Sequence, residues 1–161
     1  MIRPGTPQDA RFLRDMLRHA YYWRPPEEAE GGVHPMNYVE NWGRPGDAAM
    51  IAVDQGFPVG AAWYRLFKPE RRGYGFIDEQ TPELSIAVVP SRRGAGIGGG
   101  LMSALLDLAR KQGYGSISLS VAKDSPAIAL YRRYGFERVD ERDGAVTMRA
   151  DLSAAETSNQ V

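Results

Sequence analysis

Residues 84–101 read LSIAVVPSRRGAGIGGGL, and this stretch decides the fold. An apolar run rich in β-branched residues stops at Pro90, two arginines follow, and five glycines fall within residues 94–100. The pattern predicts a strand, a glycine-rich turn and then a helix start. Glycine lets the backbone approach a ligand closely, and the unpaired N–H groups and dipole of a helix N-terminus favour an anion. We therefore interpret residues 90–99 as a phosphate cradle, to which Arg92 and Arg93 add positive charge.

The glycine-rich loop is compatible with three further functions, each of which fits the residues less well. A loop that contains glycine only in order to turn does not account for the helical pattern that follows it. A P-loop requires Lys-Ser or Lys-Thr after its last glycine, and neither is present. The dinucleotide fingerprint G-x-G-x-x-G is matched by Gly94, Gly96 and Gly99, but its acidic partner would have to be Asp124, which comes late. Dinucleotide binding is therefore the poorer hypothesis.

Composition limits the classes of function. The chain has 161 residues, 43% of them hydrophobic and 25% charged, which predicts one globular domain with its own core. The formal net charge is zero, so we expect neither nucleic acid nor a membrane as partner. The absence of cysteine excludes a thiolate nucleophile, and His19 and His34 are too few for a histidine-rich metal site. Without an apolar leader or a membrane-spanning stretch, a cytoplasmic protein is the default expectation.

Periodicity predicts the order of the elements. Helices are expected over residues 7–20, 97–111 and 127–134, with a shorter one inside 35–42. Strands are expected over residues 1–4, 50–54, 59–67, 83–89, 116–121, 136–141 and 146–152. This order predicts a mixed sheet with helices packed on it, in the α/β or α+β class. We expect one domain over residues 1–152, followed by a polar tail over 153–161 that is disordered.

Aromatic side chains are dense in the irregular segment 21–46. They either form a satellite core beneath a long loop or line a substrate site, and the sequence leaves both interpretations open. The residues concerned are Tyr21, Tyr22, Trp23, Tyr38 and Trp42.

A second motif indicates a family. Residues 125–136 read SPAIALYRRYGF, about thirty positions after Arg93-x-x-Gly96-x-Gly98. The two motifs resemble the GNAT N-acetyltransferase superfamily: the first its acyl-CoA pyrophosphate loop, Gln/Arg-x-x-Gly-x-Gly/Ala, and the second its Leu-Tyr-x-x-x-Gly-Phe segment. The order of elements agrees over residues 1–152. The resemblance implies a GNAT-like, mostly antiparallel central sheet of six to seven strands, flanked by about four helices and splayed at a cofactor site between the fourth and fifth strands.

The resemblance also implies acetyl-CoA as co-substrate. Tyr131 would lie near the CoA sulfur, and Ser125, which stands where the family usually has asparagine, would contact the cofactor or cap a helix. The pantetheine arm would lie along the backbones of Ile86, Ala87 and Val88 like an added strand. The pyrophosphate would be held after Arg93 by the backbone N–H groups of Gly94, Ala95, Gly96, Ile97, Gly98 and Gly99.

Acetyl transfer to an amine requires a neutral amine, and a carboxylate can take its proton directly or through water. With no cysteine and no well-placed histidine, direct attack by the amine is favoured over an acyl-enzyme. Glu83, which opens the pantetheine strand, is the first candidate for the base, with Asp78 and Glu79 as alternatives. The competing interpretation of Glu83 is a strand-edge residue that faces solvent.

The departing thiolate requires an acid. The Tyr131 phenol, with an ordinary pKa of about 10, is protonated at neutral pH and can donate to it. The competing interpretation is a tyrosine packed in the core with Tyr134 and Phe136. The backbone N–H of Val88 would polarise the thioester carbonyl.

The sequence thus predicts an acetyl-CoA-dependent N-acetyltransferase that acts by direct attack. Its partner would be a small-molecule or peptide amine, and homodimer formation stays open. The alternative is a non-catalytic acyl-CoA-binding regulatory module.

Overall fold

The structure is a computed structural model that describes residues 1–21 and 33–153. Tyr22, Trp23 and residues 154–161 of the predicted tail lie outside the described residues. The strands are β1 Ile2–Pro4, β2 Ala48–Asp54, β3 Phe57–Arg65, β4 Glu83–Val88, β5 Ser116–Ala122, β6 Phe136–Arg142 and β7 Ala145–Asp151. The helices are α1 Ala10–Ala20, α2 Ile97–Lys111 and α3 Ala127–Arg133.

The strands form one sheet in the order β1-β2-β3-β4-β5-β7-β6. All neighbours pair antiparallel except β4 and β5. The predicted mixed, mostly antiparallel sheet is confirmed.

The described residues contain three α-helices, one fewer than expected. The short helix predicted within 35–42 is a single 3₁₀ turn, Pro35–Tyr38. The turn cannot extend into a longer helix because Asn41 and Gly43 both adopt positive φ, 53° and 109°.

The sheet opens between β4 and β5. These two strands share one registered pair, Glu83 with Ser118, where the Ser118 N–H donates to the Pro82 carbonyl over 2.9 Å. By contrast, β3 and β4 are in register over the whole of Glu83–Val88. The two strands therefore diverge toward their carboxyl ends, and the predicted splay is confirmed.

Two apolar layers cover the sheet. On one face α2 packs Leu101, Met102 and Leu105 against the sheet, and on the other α1 packs Leu13 and Met16. Because side chains alternate along a strand, β4 sends residues 84, 86 and 88 toward the α2 layer and residues 83, 85 and 87 toward the α1 layer. The side of β4 that faces α2 is therefore wholly apolar, whereas the side that faces α1 carries two polar side chains, those of Glu83 and Ser85.

A buried arginine anchors the loop before β2. The guanidinium of Arg65, 1% exposed, donates to both carboxylate oxygens of Asp47 over 2.7 and 3.0 Å. It also donates to the carbonyls of Asn37 and Glu40 over 2.9 and 2.8 Å, and it lies 5.4 Å from the ring centre of Trp42. Trp42 therefore packs as the satellite-core interpretation expects.

Candidate active site

A cleft of about 500 Å³ occupies the gap between β4 and β5. Its walls come from the end of α1, both diverging strands, the start of α3 and the loop before α2. The lining includes Tyr21, Leu84, Ser85, Ile86, Ala87, Val88, Arg93, Leu119, Ser120, Val121, Ser125 and Tyr131.

The glycine-rich loop forms an open helix N-terminus directly after Arg93, which is the one residue of 93–99 among the described cleft lining. Gly94 and Gly96 have φ of 84° and 81°, a left-handed conformation that favours glycine. A Cβ on either would meet nothing within 4 Å, so conformation and not crowding requires glycine there. The first helical bond runs from the Gly100 N–H to the Gly96 carbonyl over 3.2 Å. The N–H groups of residues 97–99 are therefore those that a helix start leaves without an intrahelical acceptor.

Only one of the two predicted arginines faces this site. Arg92 points away and pairs with Asp54 in the β2–β3 hairpin, with 2.8 Å between Nε and the carboxylate. Arg93 lines the cleft, and its Nε donates to the Val88 carbonyl over 3.1 Å. Arg92 is thus paired with Asp54 and is not among the described cleft lining, and its contribution of charge to the cradle stays a prediction.

The backbone of β4 presents a partly unpaired edge to the cleft. The Val89 N–H donates to the Val59 carbonyl over 2.8 Å, so odd-numbered residues of this segment direct their backbone groups toward β3. The backbone groups of Ile86 and Val88 therefore face the gap. The backbone groups of Ala87 face β3 instead, and Ala87 lines the cleft with Ile86 and Val88. Pairing of this segment with a pantetheine arm stays a prediction.

Ser125 both caps α3 and lines the cleft. Its Oγ accepts from the Ala127 N–H over 3.1 Å.

Tyr134 connects the end of α3 to the start of α2, because its hydroxyl donates to the Gly99 carbonyl over 3.0 Å. The sequence marked Tyr134 only as a core residue.

Tyr131 is at once a packed core residue and part of the cleft lining. Its ring packs edge-on against Phe136 with centroids 6.1 Å apart, and it also lines the cleft. The residue is 8% exposed, and burial raises the pKa of its phenol to about 12. Tyr131 therefore keeps its proton throughout the physiological range.

Glu83 is neither exposed to solvent nor open to the cleft. It is 1% exposed and is not among the described residues that line the cleft. Its carboxylate accepts from the Tyr38 hydroxyl and from the Gly75 N–H, the latter over 3.0 Å. The solvent-facing interpretation is wrong, because residues 73–75 fold over this end of β4.

The two alternative carboxylates lie elsewhere. Asp78 and Glu79 are exposed, and neither is among the described residues of the cleft lining. Asp78 instead accepts from the Gln80 N–H over 2.9 Å and closes a local turn.

Because the loop at residues 73–75 is closely packed, we expect a side chain at Gly73 to lower the stability of the fold. A Cβ on Gly73 would overlap the Glu83 carboxylate and lie 2.6 Å from the Tyr38 hydroxyl. We expect Gly73→Ala to lower the free energy of unfolding by about 1–3 kcal/mol in urea denaturation. Gly115→Ala, where a Cβ meets nothing within 4 Å, is the control. Equal stability of the two variants would contradict this packing.

Comparison with known proteins decides the family. The model of the acetyltransferase (GNAT) family matches residues 12–136. The chain belongs to the GNAT acetyltransferase family.

Solved GNAT proteins share the fold over almost the whole chain. A ribosomal-protein-alanine N-acetyltransferase from Brucella melitensis is 28% identical, with a TM-score of 0.69 over 94% of this chain and 99% of that one. A ribosomal-protein-S18-alanine N-acetyltransferase from Escherichia coli is 21% identical, with a TM-score of 0.64 over 94% and 93%. PaiA N-acetyltransferase from Thermoplasma acidophilum, solved with coenzyme A, is 15% identical, with a TM-score of 0.66 over 94% and 99%.

A curated relative adds similarity over a short segment. An uncharacterized protein of Mycobacterium leprae (strain TN) is 51% identical over 59 residues, which are 36% of this chain. The match covers 16% of the length of that protein.

The GNAT family uses acyl-CoA, and the residues of this GNAT cleft fit it. The open amides at the start of α2 suit a pyrophosphate, and the partly unpaired edge of β4 suits an amide-containing arm. Among residues 1–21 and 33–153 no cluster of three or more acidic or histidine side chains could hold a metal ion. Within the same ranges, no helix has the length and apolar character needed to cross a bilayer.

Three hydroxyl groups in this GNAT site could not be recognised from the sequence. The Tyr21 hydroxyl lies 2.9 Å from Ser85 Oγ, and the Tyr38 hydroxyl donates to the Glu83 carboxylate. The rings of Tyr21 and Tyr38 stack with centroids 4.7 Å apart. Tyr21 thus belongs to the satellite core and to the cleft wall together. The density of aromatics at 21–42 was the available signal, but it did not show which hydroxyls meet.

A fourth hydroxyl, that of Ser120 on β5, is buried in the cleft wall. Its Oγ has no hydrogen-bond partner among the described residues.

The buried phenols predict an alkaline limit to the stability of this GNAT domain. Burial, with the charge of Glu83, holds the pKa values of Tyr21 and Tyr38 well above the ordinary value. The resulting stability is fully present below the unfolded pKa of about 10 and is lost as pH rises through the folded values. We expect part of the tyrosine absorbance change at 295 nm to coincide with loss of far-UV circular dichroism above pH 11. Titration of every tyrosine near pH 10 with the dichroism intact would contradict this.

Proposed function

We propose that this protein is an acetyl-CoA-dependent N-acetyltransferase that moves the acetyl group of the CoA thioester to a primary amine of a small molecule or peptide. One observation carries the proposal: the gap-facing edge of β4, Arg93 just before an open helix N-terminus, and the buried phenol of Tyr131 all line one cleft. A cytoplasmic location is part of the proposal.

Binding would follow the order of the groups along the cleft. The backbone N–H groups of residues 94–99 would hold the pyrophosphate, with Arg93 adding charge and Ser125 at the opposite wall. The backbones of Ile86 and Val88 would pair with the pantetheine arm. This leaves the thioester near the apex of the gap, close to Tyr131.

Transfer would then proceed by direct attack of the neutral amine on the thioester carbon. The new C–N bond forms as the C–S bond breaks, and the N–H group of Val88, or of Ile86 two residues nearer the apex, polarises the carbonyl. Tyr131 gives its phenol hydrogen to the sulfur and recovers one from the nitrogen of the product. The acceptor ammonium thus loses two protons in all, one to the thiol and one to the base. Glu83 is the proposed base, and because its carboxylate is not among the described residues of the cleft lining, the proton would reach it through water.

The structural relatives inform the choice of acceptor. Two of the solved proteins are ribosomal-protein-alanine N-acetyltransferases, so a peptide with an N-terminal alanine belongs in the test panel together with small diamines. The neutral overall charge favours neither class.

The test combines binding with turnover. We expect calorimetry to show that CoA binds and NAD does not, and we expect free thiol to appear from acetyl-CoA only when a suitable amine is present. CoA binding without transfer to any amine would support the non-catalytic acyl-CoA-binding module. Failure to bind CoA would overturn the assignment of the cleft itself.

A further inference from the structure

The first turn of α2 lacks the side chains that usually start a helix. Its N-cap is Gly96, which has no side chain to accept from the backbone, and the turn contains no acidic residue. Glycine, among the poorest helix formers, fills three of its first four positions, residues 98–100. Such a turn frays easily on its own, so its order in the fold depends on contacts with other elements.

The end of α3 covers one side of this turn. The hydroxyl of Tyr134, the half-buried residue that directly follows α3, donates to the Gly99 carbonyl over 3.0 Å. A Cβ on Gly99 would lie 3.4 Å from that hydroxyl, and a Cβ on Gly98 would lie 4.0 Å from the Leu130 side chain. Leu130 and Tyr134 therefore lie directly beside the glycines that begin α2.

The Tyr134 hydroxyl makes the directional contact of this pair. The Leu130 contact is apolar, and apolar contacts do not fix an orientation. A hydrogen bond to a carbonyl fixes both distance and angle. The Gly99 carbonyl belongs to the same peptide group as the Gly100 N–H, which closes the first helical turn on Gly96 over 3.2 Å. The Tyr134 hydroxyl therefore holds the peptide group on which the first turn closes.

The same short helix carries groups of the cleft. Tyr131 lies one turn before Tyr134, and Ser125 caps α3 from the cleft side. One element thus contacts the cleft at Tyr131 and the start of α2 at Tyr134. The bond between Tyr134 and Gly99 therefore connects the wall that holds the proposed acid to the turn that holds the proposed cradle.

We propose that Tyr134 is a positioning residue of the acetyl-CoA site. Its hydroxyl keeps the first turn of α2 helical before the co-substrate arrives, so that the N–H groups of residues 97–99 already converge on the place of the pyrophosphate. This inference rests on the proposed function. Without the hydroxyl, only a fraction of the molecules has the turn ordered, and the apparent affinity for CoA falls by that fraction. Once CoA is bound, the turn is ordered again and the chemistry proceeds as before.

The experiment removes one hydroxyl from either end of α2. Tyr134→Phe keeps the ring and loses the bond to Gly99. Tyr64→Phe is the matched control, because the Tyr64 hydroxyl donates to Gln112 at the C-terminal end of the same helix, and Tyr64 is not part of the described cleft lining. We expect the Kd of CoA, by calorimetry, to rise about fivefold in Tyr134→Phe, the effect of one hydrogen bond, and to stay at the wild-type value in Tyr64→Phe.

Kinetics separates positioning from chemistry. In Tyr134→Phe the KM for acetyl-CoA should rise together with the Kd of CoA, while kcat at saturating acetyl-CoA stays within about twofold of the wild type. A fall in kcat with KM unchanged would contradict the proposal, because it would place the effect of the hydroxyl in the transfer step.

Amide hydrogen exchange locates the effect. Without CoA, the N–H groups of residues 100–103 should exchange faster in Tyr134→Phe than in the wild type, and added CoA should remove the difference. The rest of α2 should exchange at the wild-type rate, because opening of one turn is local. Faster exchange along the whole helix would show general destabilisation and overturn the positioning role.

Two other results would overturn the positioning role and leave the acetyltransferase intact: wild-type affinity for CoA in Tyr134→Phe, or an equal loss of affinity in Tyr64→Phe. Unprotected amides at residues 100–103 in the wild type without CoA would overturn it too, and that measurement needs no variant. Failure of the wild type to bind CoA overturns the proposed function, and this inference with it.

Discussion

Tyr131→Phe should lower the turnover of acetyl-CoA with a primary amine by about 100-fold, the contribution expected of a general acid. The substitution removes only the hydroxyl, and the ring keeps its edge-on contact with Phe136. Because burial raises the pKa of Tyr131 to about 12, the wild-type phenol is protonated at every pH where the assay is practical. The deficit should therefore be constant from pH 7 to pH 10.

The measurement is thiol release at saturating amine, together with calorimetric CoA binding. Affinity for CoA should stay within about twofold, because Tyr131 is not among the residues proposed to hold the pyrophosphate or to pair with the arm. Tyr114→Phe is the control, since Tyr114 packs against Tyr64 and is not part of the described cleft lining. Normal turnover in Tyr131→Phe would show that the Tyr131 hydroxyl is not the general acid and that the residue only packs in the core.

Arg65→Ala should lower the free energy of unfolding by about 3–5 kcal/mol, because it leaves the buried Asp47 carboxylate without its ion-pair partner and with only two backbone N–H donors. The side chains of Arg65 and Asp47 are 1% and 4% exposed, so water does not replace the lost partner. Two backbone carbonyls, those of Asn37 and Glu40, lose their donor in the same substitution.

Urea denaturation gives the free energy, and Arg138→Ala is the control. Arg138 pairs with Glu141 over 3.2 Å, but the two side chains are 47% and 45% exposed, and such pairs contribute about 0–1 kcal/mol. Similar losses in the two variants would show that Arg65 does not hold the loop. A secondary effect on turnover is expected too, because the same loop carries Tyr38.

Local signals were enough to predict the cradle and the order of the elements. Glycines at positions 94 and 96, a helix period after residue 97 and the motif around Tyr131 all lie within short stretches of sequence. The splay between β4 and β5 followed from the family resemblance. Its geometry, one registered pair at Glu83, became visible only in the structure.

The surroundings of Glu83 depend on contacts between distant segments and could not be predicted. Its burial needs the loop at 73–75 and Tyr38, which is 45 positions away along the chain. Likewise, nothing near Arg92 in the sequence shows that its ion-pair partner is Asp54, 38 positions earlier. Strand patterns also do not tell which backbone groups face a gap, so Ala87 could not be separated from Ile86 and Val88.

The single pair that joins β4 to β5 has a mechanical consequence. The sheet consists of two blocks, β1–β4 and β5–β7, whose ladders are continuous inside each block and nearly absent between them. A ligand arm lying in the gap between β4 and β5 would supply the missing backbone hydrogen bonds to β4. On its other side it would contact β5. A bound arm would then connect the two halves of the sheet, so the co-substrate would also stabilise the fold of the enzyme that consumes it.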